Sequence, residues 1–220
     1  MEYIDYVLEL PWGDNAENDG WKLANDWKSW WVTPFKETVK LDCDIIFTRD
    51  VSHWWDLMCE KDIFISSTIY DFKGEKSDVR AYRKIIDDNS LLDAYNGFTY
   101  FRYSKTSADF FMYVKHIFKN WHVFRDHVLF NCRQEKPTTD EVYAIAALLL
   151  GEDQCYIPNT HIGFTHMKPA VNHMGKAEKC FDQLVSQLDQ PRISIGLYDQ
   201  HYPVHYQDKD IGKQWAKEYE

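Results

Sequence analysis

The stretch Thr33-Pro34-Phe35-Lys36-Glu37-Thr38-Val39-Lys40-Leu41-Asp42-Cys43-Asp44-Ile45-Ile46-Phe47 decides how this chain is read. Its second half, Lys40 to Phe47, reads as a short apolar strand interrupted by two aspartates. Aspartate is disfavoured inside a strand, so two of them around one residue need a reason. Residues i and i+2 share a face of a strand, which sends both carboxylates the same way. If the strand ends here, both leave its carboxyl end, where ligands bind in open α/β sheets. Two hard oxygen donors there suit Mg²⁺ or Mn²⁺, and such an ion neutralises a diphosphate. The plainer reading is a pair of solvated aspartates. Against it stand the apolar flanks, Val39 and Leu41 before and Ile45-Ile46-Phe47 after.

Working outward, Tyr3 to Leu10 has strand character and Pro11 to Gly20 is turn-rich. Trp21 to Trp31 and Val51 to Met58 have helical spacing. Ile63 to Ile69 and Gly97 to Tyr103 read as strands. Asp71 to Leu92, polar and without a period, reads as a long excursion. Ser107 to Arg125 is the clearest helix, with Phe110, Phe111, Val114, Ile117, Phe118 and Trp121 on one stripe. A second helix starts at Thr138-Thr139-Asp140-Glu141 and stops at Gly151. Beyond it, Asn172 to Leu188 is expected to be helical. Cys155 to Ile157, Ile162 to His166, Ile193 to Leu197 and Val204 to Tyr206 are expected to be short strands. Strands and helices alternate, which predicts an α/β class with a mixed, mostly parallel sheet and a single domain over 1–220.

Composition narrows the function. Of the 220 residues, 45% are hydrophobic and 16% aromatic, which fits a globular chain and not a disordered one. The formal net charge of -10 speaks against a simple nucleic-acid binder, because phosphate contacts require cations. The five cysteines form no CxxC pair, so neither a disulfide framework nor a zinc knuckle is expected. The start, Met1-Glu2-Tyr3-Ile4-Asp5, lacks the features of a signal peptide. The longest apolar run, Ala144 to Leu150, falls far short of the roughly 20 residues that span a bilayer. Together these predict a cytoplasmic protein with no membrane span.

Four segments, taken in order, resemble a known family. Thr33 to Asp44 is similar to the lead-in and DxD motif of nucleotide-sugar glycosyltransferases of the GT-A fold. Tyr95 to Arg102, with Asn96-Gly97-Phe98, resembles that family's Asn-Gly strand. Thr139-Asp140-Glu141 resembles its acidic helix start, and His205 with Lys209 resembles its closing His-x-x-x-Lys. The resemblance spans residues 33–209 and implies a Rossmann-like GT-A sheet flanked by helices. It implies a metal-dependent transfer from a nucleoside-diphosphate sugar to an acceptor whose nature stays open: a glycan, a protein or a modified nucleic acid.

In this reading Asp42, Asp44 and His205 hold Mn²⁺ or Mg²⁺, and Lys209 meets the phosphates. His166-Met167-Lys168-Pro169 competes for the late role, so His166 and Lys168 are alternatives for phosphate or acceptor contact. Asn96 and Gly97 line the sugar pocket. Asp140 and Glu141 bind sugar hydroxyls or act as general base. Each has a plainer reading: an ordinary Asn-Gly turn, and acids that the helix dipole favours after a threonine cap.

The chain departs from the family at its start, where the DxD motif leaves room for only one strand and one helix. The first βα unit is thus missing or reduced, which raises a completing partner chain or a homo-oligomer. Two other functions are also open: a nucleotide- or sugar-binding protein without turnover, and a phage-type glycosyltransferase acting on modified DNA bases. The latter would use basic residues of the excursion, Lys73, Lys76, Arg80, Arg83 and Lys84. The tail from Tyr202 to Lys209, poor in apolar residues, is expected to be mobile until a ligand orders it.

Overall fold

A computed structural model describes residues 4–14, 16, 22–77, 83–175, 177–189 and 192–219. Tyr3, Trp21 and Arg80, which carried parts of the sequence reading, lie outside the described residues.

The Trp-rich segment forms a 3-10 helix, Lys22–Lys28, that runs into helix α1 (Ser29–Val32). Strand β1 (Glu37–Leu41) follows, and the chain turns at Asp42-Cys43-Asp44 into β2 (Ile45–Ile46). Next come helix α2 (Trp54–Met58), β3 (Ile63–Ser66) and β4 (Thr68–Tyr70). Helix α3 (Lys84–Asp88) lies inside the polar excursion and precedes β5 (Tyr95–Arg102). Helices α4 (Lys105–Lys119), α5 (Trp121–Val123) and α6 (Thr139–Leu150) make the helical layer. The last third holds β6 (Gly163–His166), β7 (Ser186–Asp189), β8 (Arg192–Ile195), β9 (Tyr198–Asp199), β10 (Val204–His205) and helix α7 (Lys209–Tyr219).

The strands divide into three sheets, ordered β1-β5-β3, β2-β10-β6-β4 and β7-β8-β9. This is a mixed α/β chain, but the expectation of a mostly parallel sheet is corrected. Among the described residues only β4 with β6 and β6 with β10 run parallel, and the other five pairings are antiparallel. The reason lies in the two strands expected to be continuous. Lys40 to Phe47 breaks at the aspartates, so β1 stays with β5 while β2 crosses to β10. Ile63 to Ile69 breaks at Ser67, so β3 pairs with β5 and β4 with β6. Each break hands the chain from the first sheet to the second.

Helix α4 starts two residues before the expected Ser107, because the Ser104 hydroxyl accepts from the Ser107 backbone N–H. Helix α6 carries a full capping box between Thr138 and Glu141, and Gly151, at φ 100°, closes it. The Phe110 and Tyr143 rings meet edge-on at 5.2 Å in the core that these helices share with Ile63, Ile65 and Phe101. Burying one such side chain contributes about 1.5–3 kcal/mol.

Three further expectations are corrected. Ile4–Leu10 forms no strand: its apolar side chains find no sheet to bury them, and Val7 is 78% exposed. Cys155–Ile157 forms none either, although the Cys155 carbonyl accepts from Ile65 N–H at 2.9 Å. Asn172 to Leu188 is not a helix. The Asn172 amide bonds the carbonyls of His166 and Lys168 instead, and positive φ at His173 and Gly175 turns the chain. The strand expected at Val204 to Tyr206 is present as β10, with Val204 and His205 buried between β2 and β6.

Candidate metal centre

Register places the candidate residues on one rim. Leu41 pairs with Phe98, so β1 ends where β5 begins. His205 pairs with both Ile45 and His166, so β10 and β6 end where β2 begins. Asp42 N–H donates to the Gly97 carbonyl at 3.0 Å, and Tyr206 N–H donates to the Asp44 carbonyl at 3.0 Å. The DxD turn therefore stitches the first sheet to the second. Both carboxylates hang from that seam.

His205 Nε2 lies 3.0 Å from Asp44 Oδ1 and 3.8 Å from Asp42 Oδ2. One ligand atom from each of Asp42, Asp44 and His205 falls within 4.8 Å of the others. On the far side of the ring, Nδ1 lies 2.6 Å from the Tyr95 hydroxyl. That bond fixes the ring plane and leaves Nε2 facing the carboxylates. The two acids are electrostatically distinct. The hydrogen bond from His205 holds Asp44 below the ordinary carboxylate range, with Lys209 adding a small pull in the same direction. Burial pushes Asp42 up, and the charges of Asp44 and Asp26 add to this against Lys40 and His205.

His166 stands behind this cluster and outside it. Its buried ring packs edge-on against His205 at 4.8 Å and against Tyr95 at 5.5 Å. Burial, then the charges of His205, Lys168 and Arg83, drives its pKa well below the ordinary histidine value, so it is neutral. Lys168 is also lowered by burial, with Asp140 pulling the other way. Lys209 starts α7, is exposed, and makes no ion pair among the described residues. It lines a cavity of about 490 Å³ with Tyr206, Gln207, Met167 and Lys213, directly after the cluster in the chain.

The sugar-pocket candidates are tied to one another. Asn96 N–H donates to Asp140 Oδ1 at 2.8 Å, and Asn96 Oδ1 accepts from Lys40 Nζ at 2.9 Å. Lys40 also pairs with Asp26 at 2.8 Å. Gly97 has a role that the sequence reading did not give it. A Cβ there would sit 2.7 Å from the Tyr95 ring and hydroxyl, so the glycine makes room for the tyrosine that orients His205. Glu141 is held in the capping box, accepting from Thr138 N–H at 2.8 Å and from Gln134 Nε2 at 2.7 Å. Asp140 remains the more open of the two acids, with Arg83 Nη2 at 3.9 Å from its Oδ2. Arg83 is buried and also pairs with Asp93 at 2.5 Å.

Tyr95 and Lys40 are site residues that sequence reasoning missed, and Arg83, expected there as a cation for a nucleic-acid acceptor, is instead buried and paired with Asp93. Tyr95 directly precedes Asn96-Gly97, but a strand tyrosine reads as core. Arg83 sits in an excursion with no period, where nothing marks it as buried.

Comparison with protein-family models, with curated proteins and with solved structures found no match for this chain. None of the helices is long and apolar enough to cross a membrane, among the described residues.

Proposed function

We propose that this chain is a metal-dependent glycosyltransferase that moves a sugar from a nucleoside-diphosphate sugar to an acceptor. The observation that supports it best is the meeting of Asp42, Asp44 and His205, drawn from opposite ends of the chain, within 4.8 Å. The donor set fits a divalent ion: two carboxylates of unlike basicity, and an imidazole whose other nitrogen is already engaged. A bound Mn²⁺ or Mg²⁺ would supply charge neutralisation to a departing diphosphate.

The chain's own residues do the rest. Tyr95 holds the His205 ring in plane, and Gly97 leaves Tyr95 its space. Lys209 presents an ammonium group to phosphate in the adjoining cavity, where Lys213 is already paired with Asp210 at 3.5 Å. Asp140, backed by Asn96 N–H, is the carboxylate placed to accept from a sugar or acceptor hydroxyl. Glu141, fully bonded in the helix cap, keeps Asp140 at the helix start.

A panel of nucleotide sugars with Mn²⁺ tests the reading, with release of nucleoside diphosphate as the signal. Release that disappears in Asp44→Asn is expected. Binding without release in any acceptor would favour a nucleotide-sugar-binding protein, and neither binding nor release would overturn the proposal.

A further inference from the structure

The second sheet has another end. β2 runs antiparallel to β10, so Phe47-Thr48-Arg49 leaves the pair at the end opposite to the Asp44–His205 contact. Arg49 is four residues beyond Ile45, roughly 13 Å along an extended chain. There a cavity of about 180 Å³ is lined by Thr48, Arg49, Arg192, Asp199, Gln200 and His201. These residues come from three places: the exit of β2, the start of β8, and the β9–β10 connection.

The cavity is cationic. Neither Arg49 nor Arg192 forms an ion pair with a described residue. Arg49 Nη2 donates to His201 Nδ1 at 2.6 Å. A guanidinium has no acceptor, so Nδ1 accepts, and the ring's proton sits on Nε2 as a further donor. The one carboxylate on the wall, Asp199, accepts from the Ser194 hydroxyl at 2.6 Å. On the floor, Thr48 is only 7% exposed and its hydroxyl has no hydrogen-bond partner among the described residues. Buried hydroxyls are rarely left unsatisfied, because desolvation without a bond costs about 1–3 kcal/mol.

We propose that this cavity is a second ligand site, separate from the metal centre, and that it takes one phosphate group. Two forked guanidinium groups, an imidazole N–H and a buried hydroxyl match the several acceptor oxygens of a phosphate. The volume is below the usual range of small-molecule pockets, about 300–1,000 Å³, so it admits a single anionic group and not a whole nucleotide.

The test is calorimetric titration of the full chain with inorganic phosphate at low salt, in the presence of a chelator. His201 ring proton signals are followed by NMR as a local reporter. We expect saturable binding that weakens about tenfold or more in Arg49→Gln and in Arg192→Gln, as loss of a charge-assisted bond implies. Thr48→Val should weaken it less, and Asp199→Asn should strengthen it by removing the like charge. Asp44→Asn should leave it unchanged, which separates this site from the metal centre. Each variant's melting temperature without phosphate shows that it folds, and Thr48→Val with the His201 signal carries the test if an arginine variant does not. Glycerol phosphate in place of inorganic phosphate separates the sources: equal binding assigns a phosphomonoester, and binding of inorganic phosphate alone assigns the free ion. No saturation at millimolar phosphate, or affinity unchanged from the wild type in both arginine variants, overturns the proposal.

Discussion

Phe110 and Tyr143 meet at 5.2 Å in the α4–α6 layer, each on a helix whose start is capped by its own nearby serine or threonine. Asp42 and Asp44, two residues apart in one turn, meet His205 from the far end of the chain on the rim of the second sheet. In the layer, the Phe110–Tyr143 contact buries apolar surface and stabilises the fold. On the rim, two carboxylates share a small space, and burial raises one of them. The layer contributes packing to the fold, while the rim gathers titratable groups that could hold a metal ion. The two regions should therefore respond to substitution in opposite ways.

The largest effect is expected in the layer. Phe110→Ala removes a fully buried ring and should cost about 3–5 kcal/mol in denaturant unfolding, while the remaining folded protein binds Mn²⁺ as before. A loss of metal binding in the folded protein would break the separation of the two regions.

On the rim, Tyr95→Phe and Gly97→Ala should converge on one phenotype. The first deletes the hydroxyl that holds His205, and the second pushes the Tyr95 ring away. Each should reduce Mn²⁺ affinity about 10–100-fold, the usual cost of losing a partner that orients a metal ligand. Unaltered affinity in both would remove Tyr95 from the site.

A smaller change is expected at the α6 cap. Thr138→Ala should cost about 1 kcal/mol and leave metal affinity alone, as circular dichroism melts and titrations would show.

The smallest effect is a pH dependence. Burial raises the pKa of Glu141 in the folded chain above its unfolded value. Its contribution is thus present in full below the unfolded pKa and is lost as pH rises through the folded one. Glu141→Gln keeps a side-chain acceptor for the Thr138 N–H without this titration. The stability of the wild type relative to the variant should fall as pH rises above the ordinary carboxylate range. Denaturation midpoints that show a flat or rising difference would contradict the assignment.

The same contrast explains what could be read from the sequence. Phe110, Phe111, Val114 and Ile117 announce α4 because a helix repeats its apolar face every three to four residues. Thr138, Glu141 and Gly151 announce both ends of α6. The strand pattern of Ile4–Leu10 was local too, but a strand needs a partner that no local pattern supplies. Asp42 and Asp44 were legible from their spacing between apolar flanks and His205 only through a resemblance, and the structure does bring the three together. Which late histidine joins the aspartates was decided by pairing, since His205 and His166 lie side by side in register and only one faces the turn. The division into three sheets was illegible, because the breaks at Asp42–Asp44 and Ser67 interrupt runs that are apolar on both sides.

The most direct measurement is a titration of metal-free protein with Mn²⁺, read by calorimetry or electron paramagnetic resonance. One ion per chain is expected in the wild type, with binding lost in Asp44→Asn and in His205→Ala and kept in Asp140→Asn. Mn²⁺ binding of equal strength in the wild type and in both cluster variants would contradict a metal site at this cluster.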